Sequence, residues 1–198
     1  MRIRTALSIA ALTFLVLAPQ AVCQDAKVEF MPLKVGNAWT YKVEFGGQNL
    51  SITQKVTKIE KKGTEEVASI DSEIMGQTIT EQTSQNAKGV FRHSFQGMAV
   101  DPPIQALRLP VKKGESWDAE FTIMGQKMKA TMKTEAEEEV TVPAGKYKGV
   151  IVSMDMEFMG QKMSAKSWFA PKVGIVKQTF DFGGISGTSE LEKVELNK

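Results

Sequence analysis

The chain has 198 residues, 24% of them charged, with 25 basic against 23 acidic side chains, one histidine and one cysteine. That length supports one domain or two small ones with a real core. A single cysteine rules out a disulfide framework and a cysteine-rich zinc site, and interspersed Lys and Glu, with no basic stripe, argue against nucleic acid as a partner.

The first segment reads as a leader. Arg2 and Arg4 precede the uncharged run "ALSIAALTFLVLA", and Ala21 and Cys23 follow at small-residue spacing. This is the pattern of a secretory signal peptide over residues 1–23, cut after Cys23. The run is short for a membrane span, and no later segment is a candidate. Val22, where a lipoprotein would carry a small residue, argues against lipid attachment at Cys23. Two of the 25 basic residues and none of the 23 acidic ones lie in the leader, so the mature chain, residues 24–198, is formally balanced. The expected location is the periplasm or the exterior.

Strand signals then run to the end. "WTYKVEF" alternates Trp39, Tyr41, Val43 and Phe45 on one face, the period of a half-buried antiparallel strand. Gly46-Gly47, Met75-Gly76, Met124-Gly125 and Met159-Gly160 each read as a two-residue hairpin tip, because glycine supplies the positive φ such a tip needs. Pairing outward from them sets Tyr41 opposite Ile52, Ser72 opposite Ile79, Phe121 opposite Met128, Glu120 opposite Lys129, and Met156 opposite Met163. Methionine is a poor first residue for this turn, and a longer loop with a glycine bulge is the alternative. "DPP" at Asp101 marks a linker. "KMKATMKTEAEEE" has helical propensity as well as strand alternation; its counterpart "NLSITQKVTK" is rich in Ile and Thr, which favours strand. "VPAG" and "APKVG" are turns, "DFGGISG" is a fifth tip, and "SELEKVEL" is a closing strand.

The chain also repeats itself. "PLKVGNAWTYKVEFGGQ" from Pro32 aligns with "PVKKGESWDAEFTIMGQ" from Pro110, and "SEIMGQTIT" from Ser72 with "MEFMGQKMS" from Met156. This predicts a tandem duplication, roughly residues 30–100 and 108–187, of one all-β unit within a single domain. The expected fold is all-β: a strongly curved antiparallel sheet or open barrel built from two repeats of hairpins.

Few residues suggest chemistry. His93 is the only histidine, and a strand surface position explains it better than catalysis. No nucleophile–base motif is present, so triads and zinc sites are not expected. Glu135, Glu137, Glu138 and Glu139 lack the Asp-rich glycine loop of a calcium site and read as a charged sheet edge that resists aggregation. Methionine is abundant. Met128, Met132, Met154, Met156 and Met163 fall on the inward face as core or as the lining of an apolar ligand site; copper(I) ligation is the weaker alternative. Met75, Met124 and Met159 sit at hairpin tips, where exposure would make them partner-facing.

Three stretches, "MPLKVGNAWTYKV", "VPAGKYKGVIV" and "SWFAPKVGIVKQTF", resemble exported bacterial proteins of the TapB-like group. The resemblance implies an all-β envelope protein with a curved sheet like those of lipoprotein carriers, and it carries over no catalytic residue. The expected function is therefore non-enzymatic, without cofactor or metal: binding of an apolar small molecule or lipid on the inner face, or contact with another envelope protein through the tips.

Overall fold

The computed structural model describes residues 28–197, apart from Met75 and Met159 and the side chain of Phe158. The leader, Cys23 and those two tip methionines thus lie outside the described residues. Twelve strands follow one another: β1 (Ala38–Phe45), β2 (Gln48–Lys62), β3 (Glu65–Ile74), β4 (Gln77–Asn86), β5 (Gly89–Phe95), β6 (Met98–Arg108), β7 (Ser116–Ile123), β8 (Gln126–Val142), β9 (Gly145–Phe158), β10 (Gln161–Ala170), β11 (Gly174–Phe182) and β12 (Ile185–Glu195). Each pairs antiparallel with its neighbours in sequence, and β12 pairs with β1. The sheet is a closed up-and-down barrel, which removes the exposed edges an open sheet would leave.

The hairpin registers follow the alternation. Tyr41 lies opposite Ile52, Ser72 opposite Ile79, Glu120 opposite Lys129, Phe121 opposite Met128, and Met156 opposite Met163. The stretch with helical propensity is strand β8, because pairing with β7 and β9 outweighs a weak local preference. At the β7–β8 tip, Met124 and Gly125 have φ of 50° and 79°. Both are positive, as a type I′ turn requires, so a two-residue turn is present and methionine occupies a left-handed position.

Two expectations change. Asp101-Pro102-Pro103 is no linker; it lies inside β6, which pairs with β5 through Ala99 and Ile104. The prolines, lacking an N–H, act on the other side: β6 meets β7 only at Val100 opposite Ile123 and Asp101 opposite Thr122. The acidic run on β8 lies on no edge either, because the barrel closes. Glu135, Glu137 and Glu139 pair with Lys166, Lys148 and Lys146, and Glu138 accepts the Trp168 indole N–H at 2.6 Å.

A barrel of this many strands would leave a channel unless something filled it. Large side chains do so here. One cluster gathers Phe121, Met132, Val152 and Phe169; a second gathers Trp39, Tyr41, Val56 and Leu191. The segment before β1 adds a plug. Phe30 and Met31 are buried, and both their N–H groups donate to the Gln85 side-chain oxygen. Asn37, fully buried, donates to the Pro32 carbonyl and accepts from the Asn197 N–H, tying this segment to the C-terminus.

Candidate functional site

In an up-and-down barrel alternate turns share an end. The β1–β2, β3–β4, β5–β6, β7–β8, β9–β10 and β11–β12 tips therefore form one rim, and the plug lies at the other. Between them runs the lumen, with two adjoining cavities. The inner one, about 110 Å³, has Met31 among its lining residues together with Phe121, Met132, Val152, Met154, Met156 and Phe169. The outer one, about 120 Å³, is lined toward the tips by Val43, Ile52, Ile74 and Ile79, with Ser72, Gln96 and Ser189. Tyr41, Gln54 and Glu81 border both.

The inner cavity has an apolar and a polar side. Period-2 alternation on β7–β10 directs apolar side chains into the inner cavity. On β4 and β5 it directs Glu81 and Arg92 inward instead. The Arg92 guanidinium donates to the Glu81 carboxylate at 3.3 Å and stacks over Phe95, 5.6 Å from the ring centroid. The Gln96 N–H also donates to Glu81, at 3.3 Å. Tyr41 donates its hydroxyl to the Ile175 carbonyl, and burial pushes its phenol pKa well up, so it stays neutral.

The inward methionines divide. Met132, Met154 and Met156 line the inner cavity. Met128 packs on the core but borders a groove with Asp101, Pro102 and Lys129 at the β6–β7 seam. Met163 is half-buried between Met156 on β9 and Phe182 on β11, outside the cavity lining. Of the tip methionines, only Met124 is described, and it is 80% exposed. His93 is half-buried on β5, where its Nε2 shares a hydrogen bond with the Ser84 hydroxyl at 2.8 Å. Sequence reasoning passed over the Glu81–Arg92 pair and the Phe30-Met31 plug. Alternation along "VFRHSF" could have placed Arg92 inside with Val90; nothing local marks the plug.

The DUF3108-like family matches residues 34–185. The chain belongs to that family. The match spans nearly the whole barrel, from just before β1 to the first residue of β12. A search of curated protein sequences returns no match. Two solved structures share the fold of this DUF3108-like chain. One, described as a candidate lipoprotein from Parabacteroides distasonis, is 13% identical, with a TM-score of 0.55 over 85% of this chain and 99% of its own. The other, described as a candidate exported protein with a YmcC-like fold from Bacteroides fragilis, is 15% identical, with a TM-score of 0.51 over the same shares. These matches lend no support to the TapB-like label.

Proposed function

We propose that this is a non-enzymatic exported protein whose barrel lumen binds an amphiphile, its apolar part against Met132, Met154 and Met156 and its polar end toward Gln54, Glu81 and Arg92. The two-sided inner cavity carries the reading: Met132, Met154 and Met156 line it together with Gln54, Glu81 and Arg92. Export is supported by the leader pattern of residues 1–23 and by the two structural neighbours, described as a candidate lipoprotein and a candidate exported protein. The outer wall suits water, since Lys129–Asp118, Lys148–Glu137 and Lys166–Glu135 pairs lie on it. A membrane-spanning barrel has the reverse sense, apolar outside and polar inside.

The inner cavity is near the ~150 Å³ that accommodates a benzene ring in an apolar core. A longer chain is accommodated if the thioethers move aside, which unbranched methionine does at low cost. Native mass spectrometry of the mature protein from its own compartment tests this. The expected result is a bound mass that solvent extraction removes, and renewed binding of a dansylated fatty acid that Ala165→Trp, filling the inner cavity, abolishes. A bare chain that binds no dansylated fatty acid overturns it. A second reading, contact with other envelope proteins through the tips, draws on exposed Met124.

A further inference from the structure

The six turns of the rim share a composition. They are Phe45-Gly-Gly-Gln, Ile74-Met-Gly-Gln, Phe95-Gln-Gly-Met, Ile123-Met-Gly-Gln, Phe158-Met-Gly-Gln and Phe182-Gly-Gly-Ile. Each begins with Phe or Ile, and none contains Asp, Glu, Lys or Arg, in a chain that is 24% charged. Four of the five turns at the plug end are different, carrying Lys62, Glu65, Lys88, Lys112, Lys113 and Lys172, while the β8–β9 turn, Val142-Pro-Ala-Gly, is uncharged. The turns are therefore uncharged at one end and mostly charged at the other, where Val28, Val35 and Leu196 are exposed beside the charges.

Burial in the lumen explains Ile74, Phe95 and Ile123, but not four others described there. Met124 is 80% exposed, Ile185 51%, Phe45 40% and Phe182 38%. Nor does the backbone. Met124 has φ 50°, a conformation that glycine or asparagine adopts more readily and that costs a methionine on the order of 1 kcal/mol. Hydration and local strain both disfavour a methionine at this point, so its presence calls for an occupant that meets it.

We propose that this rim docks onto a lipid surface, with the tip side chains seated among neutral headgroups and the lumen mouth facing the bilayer. The arrangement fits a plane better than a protein. The apolar side chains stand on separate turns around an opening, and a fluid interface accepts each of them wherever it lies. Gln48, Gln77, Gln126 and Gln161 follow the tip glycines, bringing hydrogen-bonding groups to headgroup depth. The residues flanking the tips, Glu44, Glu73, Lys127, Glu157, Lys162 and Asp181, hold no basic excess, so anionic lipid is not required. Docking deepens the lumen reading by giving an amphiphile a direct route between bilayer and cavity, but its test is separate.

The mature full-length protein is mixed with phosphatidylcholine vesicles and sedimented. Wild type co-sediments, with little change between low and high salt. Met124→Asn relieves the turn and melts no lower than wild type, yet binds vesicles about threefold to tenfold more weakly, because apolar area is withdrawn from the interface. A tryptophan reporter gives the orientation: brominated lipid quenches Ile185→Trp and leaves Val35→Trp, at the plug end, unchanged. Wild type that stays in the supernatant overturns the proposal. Equal quenching of both reporters, or a concentration-dependent dimer that Met124→Asn dissolves, also overturns it, the latter in favour of a second copy as occupant. Vesicle binding that persists in Ala165→Trp separates docking from lumen occupancy.

Discussion

Thr134 sits on β8, buried, with a hydroxyl that finds no hydrogen-bond partner among the described residues. An unpaired buried hydroxyl costs about 1–3 kcal/mol. Thr134→Val keeps the shape and removes that cost, and it is expected to raise the melting temperature by roughly 2–12 °C; an unchanged or lower value rejects the reading. Asn37 is the opposite case, since its side chain joins the N-terminal plug to the C-terminus at 2.6 and 2.7 Å. Asn37→Leu orphans both partners, and urea denaturation should show a loss of about 2–3 kcal/mol. His93 adds a pH dependence. Burial depresses its pKa below the usual 6.5, Glu65 opposes the shift and Lys62 reinforces it. The unfolded chain therefore binds the proton more readily. The stability due to neutral His93 is complete above about pH 6.5 and is lost as pH falls through the lower folded value. Melting curves should show a small decline below pH 6.5 that His93→Gln abolishes.

Glycines separate two kinds of turn at the level of the element. Gly89 begins β5 with φ 146°, and a Cβ there would run into the Leu107 carbonyl on β6. Backbone cannot yield as a flexible side chain can, so Gly89→Ala should cost roughly 3 kcal/mol or more. Gly125, at the β7–β8 tip, has φ 79° with open space around it. Gly125→Ala meets only the left-handed penalty, roughly 1–2 kcal/mol. Denaturation midpoints of the two variants in one series check the order. Gly187 shows a third use of glycine. It lies between Phe45 on β1 and Phe180 on β11, whose rings are 5.6 Å apart, and a Cβ would strike the Phe180 ring. The missing side chain lets that ring cover the strand. Hairpin registers were legible in the sequence because side-chain alternation and a tip glycine together leave one pairing that keeps apolar residues on one face. The Pro-Pro of β6 was misread for a related reason. It does interrupt a ladder, but only the one toward β7, and the chain remains extended on β5.

The molecule as a whole is closed unevenly. β1 and β12 pair along the full length of β1, whereas β6 and β7 meet only near the rim. Side chains bridge the rest of that seam: the Trp117 indole donates to the Gln105 carbonyl at 3.0 Å, and Arg108 lies over the Trp117 ring. Phe121 lines both the inner cavity and the seam grooves, so it separates lumen from solvent there. Backbone amides of residues 104–108 and 117–121 should accordingly exchange hydrogen faster than those of the β8–β9 hairpin. Equal protection would mean that the side-chain bridges substitute fully for the missing ladder. The turns before β1 and β7 also share chemistry. The Gly36 N–H donates to the Val56 carbonyl and the Gly114 N–H to the Thr134 carbonyl, and Gly36 and Gly114 lie at matching places in the aligned stretches from Pro32 and Pro110.

From the sequence alone came the all-β class, the hairpin tips and their registers, because each depends on neighbours a few residues apart and on a period of two. Only the tertiary structure decided that β12 returns to β1, that the acidic run of β8 finds lysines instead of an edge, that Phe30 and Met31 close one end, and that Glu81 and Arg92 meet inside. Those are contacts between segments far apart in the chain. No local pattern specifies them, and they form because a twisted sheet of this many strands must close and fill its own interior.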